Sequence, residues 1–128
     1  MADSFTDLLL LRQQENGGNS TSWGTLLNAT VNMIEEAIAG RAAVTHDNTA
    51  NYSLTTGNDV TSESRNAILN IAGTLTAARN TVCPTSSKVY IAKNATTGGY
   101  ATTLKTTAGT GITIPNGKTT LVFCDGTN

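Results

Sequence analysis

One stretch of this chain, and one only, repeats its apolar residues at helical intervals. Trp23, Leu26, Leu27, Thr30, Val31, Ile34, Ala37 and Ile38 recur at steps of three and four, which gathers them on one stripe of an α-helix. Thr21 or Ser22 stands where a cap is needed, and Gly40 where a left-handed residue would end the helix. Glu35 and Glu36 near its C-terminal end oppose the helix dipole, a small penalty that Arg41 is placed to relieve. A stripe this broad has to be covered, either by a sheet of the same chain or by neighbouring copies.

After this helix the period changes to two. Leu69, Ile71, Gly73, Leu75 and Ala77 alternate with more polar partners; Val89 and Ile91 alternate with Lys88, Tyr90 and Ala92; Tyr100, Thr102, Leu104 and Thr106 alternate with Ala101, Thr103 and Lys105. Gly98-Gly99 and Pro115-Asn116-Gly117-Lys118 lie between such runs and read as hairpin turns. Composition agrees: 24 Thr favour strands and 13 Asn favour turns. The expected fold is mainly β, with an N-terminal extended arm and one amphipathic helix before an antiparallel β-sandwich or barrel-like domain. Four zones follow: a leucine-containing arm at 1–22, the helix at 23–40, a connector at 41–50 and the β-domain at 51–128.

The arm holds Leu8-Leu9-Leu10-Leu11, then a polar Gly/Asn stretch, and reads as a short strand followed by a loop. So short an element cannot hide four leucines, so some face a partner chain. The run is too short for a signal core or a membrane span. A net charge of -1 excludes a basic footprint for nucleic acid or for a membrane surface. At 13% charged residues and 38% apolar ones, the chain is neither disordered nor strongly self-repelling. Cys83 and Cys124 are too few for a disulfide framework, and free thiols at strand ends are favoured over a bridge.

No constellation for chemistry emerges. His46-Asp47 has no second histidine and no cysteine at ligand spacing, so a solvated loop histidine is the simpler reading. Gly111 to Thr119 imitates a phosphate loop but has one residue too many, and the residues after Thr119 read as a strand where that loop needs a helix. Tyr52, Tyr90 and Tyr100 could line a sugar-binding surface, yet tyrosines on strands more often pack half-buried. No enzyme and no cofactor or metal site is expected.

Trp23-Gly24-Thr25-Leu26-Leu27-Asn28, followed by Ile34-Glu35-Glu36-Ala37-Ile38-Ala39-Gly40, resembles the start of many tailed-bacteriophage fibre and appendage proteins. There a Leu-rich opening and a Gly/Asn loop lead into a Trp-Gly-x-x-Leu-Asn helix with an Ala-Ile-x-Gly stop. The later segments, Lys88 to Asn94, Leu104 to Gly111 and Ile114 to Lys118 with the Asp125-Gly-Thr-Asn128 ending, are similar to the β-domain that follows in those proteins. The resemblance implies a virion structural protein assembled in the host cytoplasm: the N-terminal module of a tail fibre, homotrimeric, attached to other phage structural proteins at the tail or near the portal. Host receptor contact would fall to distal regions. Leu8, Leu10, Trp23, Leu27, Val31 and Ile34 are the expected assembly and attachment residues. The competing readings are a capsid or head-fibre decoration protein and a monomeric carbohydrate-binding module.

Overall fold

A computed structural model describes residues 3–15 and 17–128; Asn16, part of the expected polar loop, lies outside them. The described residues hold one α-helix and ten strands, so the chain is mainly β. The arm is not extended. Strands β1 (Ser4–Phe5) and β2 (Arg12–Gln13) pair antiparallel, and the leucines expected in a strand form the turn between them. Helix α1 (Trp23–Ala39) begins after Ser22, whose side chain makes no capping bond. Gly40 is in an extended conformation rather than a left-handed one. A glycine is still required there, since a Cβ would stand 2.3 Å from the Glu36 carbonyl oxygen and 2.4 Å from Asn66 Oδ1.

The remaining strands are β3 (Arg41–Thr45), β4 (Tyr52–Ser53), β5 (Ile68–Ala72), β6 (Arg79–Val82), β7 (Lys88–Asn94), β8 (Thr102–Lys105), β9 (Ile112–Ile114) and β10 (Thr119–Cys124). Residues 41–45, read from sequence as connector, are thus a strand. The strands build two four-stranded sheets, ordered β10-β7-β5-β3 and β4-β6-β8-β9. From β3 to β8 the chain alternates between the sheets, one strand to each per turn. Within each sheet these strands pair in parallel, and only β10 on β7 and β9 on β8 pair antiparallel. The expected all-antiparallel pairing is therefore corrected, and neither sheet closes into a barrel. The chain winds as a short coil of three turns, ended by two antiparallel strands.

Neither expected hairpin forms. Gly98-Gly99 carries the chain from β7 in one sheet to β8 in the other, and Pro115 to Lys118 carries it from β9 back to β10. Period-two alternation is the same for parallel and antiparallel neighbours, so it could not choose between them. The coil has a spacing signal of its own: Arg41, Ile68 and Ile91 stand side by side at steps of roughly 25 residues, within the range of coiled repeats.

Side chains that line up from turn to turn build the core. Ala42, Leu69 and Ala92 form one row, and Val44, Ile71 and Asn94 the next. With Leu54, Cys83, Tyr90, Leu104, Ile114, Val122 and Cys124 they give one buried cluster fed by both sheets. Asn94 belongs there because its polar atoms are all used. Its Nδ2 donates to the carbonyls of Tyr100 (3.1 Å) and Ile114 (3.0 Å), and its Oδ1 accepts from the N–H (3.1 Å) and hydroxyl (2.6 Å) of Thr96.

His46 is not the solvated loop residue expected. It is buried, with Nε2 2.9 Å from Thr81 Oγ1, which lies 3.3 Å from Thr102 Oγ1. Burial holds its pKa below the ordinary imidazole value, Asp47 pulling it up and Arg79 pushing it further down. Folded protein therefore refuses a proton that the unfolded chain accepts. The contribution of this neutral histidine is complete above about pH 6.5 and is lost as pH falls below that value towards the lowered folded pKa. Melting temperature should drop between pH 7 and pH 5, and His46→Gln should flatten that slope; an unchanged slope would locate the titration elsewhere.

Candidate assembly surface

Two basic side chains fasten the N-terminal elements to the coil. Arg65 sits on a single turn of 3-10 helix (Glu63–Arg65) and is only 2% exposed. Its Nε donates to Leu9 O (2.9 Å) in the hairpin turn, and its Nη1 to Glu36 Oε2 (3.1 Å) on α1. Nη1 also donates to Val60 O, and Nη2 to Gly57 O (2.8 Å). Asn66 Nδ2 reaches Glu36 Oε1 at 3.1 Å. The carboxylate at the helix end is thus answered by Arg65, not by the exposed Arg41. Arg12 of β2 bridges Asp3 at 2.6 Å and also pairs with Asp59, binding the hairpin to the same loop. Asp3 accepts the N–H of Glu15 (2.9 Å), which with Arg12 lowers its carboxyl pKa.

Lys88, at the start of β7, closes the base of this junction. Its ammonium donates to the carbonyls of Ser64 (3.0 Å), Arg65 and Asn66 (2.7 Å) and lies 4.7 Å from the centre of the Tyr90 ring. Burial pulls its pKa down to about 8. Leu8, Leu9 and Leu10 line a small cleft with Ser64, Arg65 and Lys88, to which no α1 residue contributes. Leu8 is exposed at its rim and Leu10 half-buried. The structure thus places the leucine turn and the helix stripe in separate surroundings.

Helix α1 leans on the coil by a narrow edge, Met33 being its single buried residue. Its apolar stripe points elsewhere. Trp23 is 58% exposed, Ile38 is 74% exposed, and Leu27, Val31 and Ile34 between them are exposed as well. Leu27, Val31, Ile34 and Ile38 follow one another at steps of four, three and four, the seam of a coiled coil. The packing of this helix against its own sheet, one of the two covers open to it from sequence, does not occur in the single chain.

A second apolar area escaped the sequence reading. On β7 and β10 the apolar residues facing away from the core are Val89, Ile91, Leu121 and Phe123, all exposed. Both faces of these strands carry apolar residues, so alternation alone could not say that Tyr90, Ala92, Val122 and Cys124 point inward. The two cysteines are free and buried, and burial with neighbouring Cys124 pushes the Cys83 thiol up to about 12. Of the three tyrosines, Tyr90 is in the core and Tyr52 donates its hydroxyl to Glu63 (2.8 Å). Among the described residues no group of three His, Cys, Asp or Glu side chains is placed to hold a metal ion, and no helix is long and apolar enough to cross a membrane.

Compared with protein-family models, with curated proteins and with solved structures, the chain finds no match in any of the three.

Proposed function

We propose that this chain is a structural assembly module, the N-terminal part of a phage tail fibre, which trimerises through α1 and attaches to the particle. One observation carries this reading: a helix whose apolar seam, from Trp23 to Ile38, is left open while its only buried residue is Met33. Leaving that much apolar surface in water costs about 25 cal/mol per Å². Ile38 with Ile34 is a seam pairing that favours more than two strands, while Val31 with Leu27 is that of two, so the seam supports association and the resemblance supplies the number three. The shared core of the two sheets supports reading them as the layers of one sandwich. A platform of tyrosines for sugar finds little support, since one of the three is buried and another is engaged by Glu63.

Light scattering at micromolar concentration tests the reading, and a species of 13.3 kDa would overturn it. Trp23→Ala is the sharper test. The side chain is largely in solvent and touches no core row, so the β-domain should keep its circular dichroism and melting temperature. Association should weaken by about 2 kcal/mol or more, as for an interfacial anchor. Loss of the β signal together with assembly would return Trp23 to the core.

A further inference from the structure

We infer that the outward face of β7 and β10 is a second contact between copies of this chain, so that β-domains and helices assemble together; the inference rests on the trimer proposed above. On that face Phe123 stands directly opposite Val89, and Leu121 directly opposite Ile91, whose other neighbour is Ile68 on β5. These five apolar side chains are contiguous across three strands, with no charged residue among them. Leu121 is 70% and Phe123 66% exposed. Charges bound the patch without entering it: the exposed Arg41, which pairs with Ile68 from β3, and Lys93 on β7, opposite Thr119 at the end of the pair. Strand β10 is also the edge of its sheet. A flat apolar edge left bare invites uncontrolled pairing, and natural sheets cover such an edge or charge it. This one is uncharged over its central pairs, which leaves covering.

Area points to a second copy as the cover. The exposed part of the α1 seam amounts to roughly 500 Å², short of the ~800 Å² that each partner gives to a stable interface. In a trimer that area is shared between two neighbours, so the helix alone falls further short. At 17 residues α1 is also only a little longer than the length below which an isolated helix is marginal in water. The β7–β10 face adds a similar area, roughly doubling what one chain can bury against its two neighbours.

The test sets a β-face double variant, Leu121→Ser with Phe123→Ser, beside a helix double variant, Ile34→Asp with Ile38→Asp, each in the full chain. Sedimentation equilibrium reads the association constant, and circular dichroism reports whether the sheets persist. Both variants should weaken the trimer at least about tenfold. In wild-type protein, deuterium uptake across 119–124 should fall as concentration rises through the trimer transition, in step with uptake across 23–39. That readout needs no variant to fold. A wild-type trimer with an unaltered constant in the β-face variant and concentration-independent exchange at 119–124 would overturn this inference while leaving the trimer, and would assign the face to a different protein. A wild-type monomer would overturn both.

Discussion

Arg65→Met is expected to cost about 3–5 kcal/mol and to loosen the hairpin and the helix from the coil together. The size follows from what remains behind. Methionine fills much of the same volume, but Glu36 loses its charged partner, and the carbonyls of Leu9, Val60 and Gly57 lose their donors. Removing one side of a buried ion pair commonly costs 3–5 kcal/mol, because the other charge stays buried without compensation. Glu36 is itself 13% exposed, which permits some hydration and places the cost towards the lower end. Urea denaturation measures the loss. Limited proteolysis locates it: cleavage should appear first around 57–60 and between the hairpin and α1, while β5 to β10 stay protected. Arg65→Lys keeps the charge without the planar fork and should fall between the two, since no single ammonium spans acceptors on the hairpin, the helix and the loop. A loss below about 1 kcal/mol would show that the N-terminal elements are held by Arg12 and Met33 instead.

That junction was invisible in the sequence, and the reason is physical. Arg65 lies between Ser64 and Asn66 in a polar segment with no periodicity, and its partners come from two distant stretches and the loop just before it. Local pattern carries information on what repeats locally. It sufficed for α1, whose bounds differ from the expected helix by a single residue, and for the phase of Thr102 and Leu104 in β8. It failed wherever the answer depended on a partner strand. Val89-Tyr90-Ile91 and Leu121-Val122-Phe123 are apolar in both phases, and only the neighbouring turn decides that Tyr90 and Val122 go inside. His46 was misplaced for the same reason: a polar residue after Val44 and Thr45 continues the strand phase into the core, where Thr81 meets it. For the assembly surface, the helix stripe was legible and the β7–β10 face was not. An exposed apolar residue on a strand is indistinguishable in sequence from a buried one.

Gly98→Ala carries the other large effect and tests the coil itself. Successive turns touch backbone to backbone at the corner where the chain leaves one sheet for the other. Thr97 donates its N–H to Gly73 O at 2.9 Å, Leu75 donates to Thr97 O at 2.9 Å, and Thr74 bridges Thr97 in parallel. Gly98 continues that contact with a φ of +103°, and a Cβ there would stand 2.0 Å from the Leu75 carbonyl oxygen. Alanine therefore meets two penalties. Its backbone is held in a region open essentially to glycine, worth about 1–3 kcal/mol. The methyl group must also push the third turn off the second, breaking or stretching the bonds just named, for about 1–3 kcal/mol more. The adjacent Gly99 separates the two. Its φ is +82°, but nothing lies within 4 Å of a Cβ there, so Gly99→Ala carries the backbone penalty alone. Chemical denaturation of both variants should place Gly98→Ala lower by about 1–3 kcal/mol. Equal losses would mean that this corner has room to spare, and that the turns are held in line by their side-chain rows rather than by backbone contact.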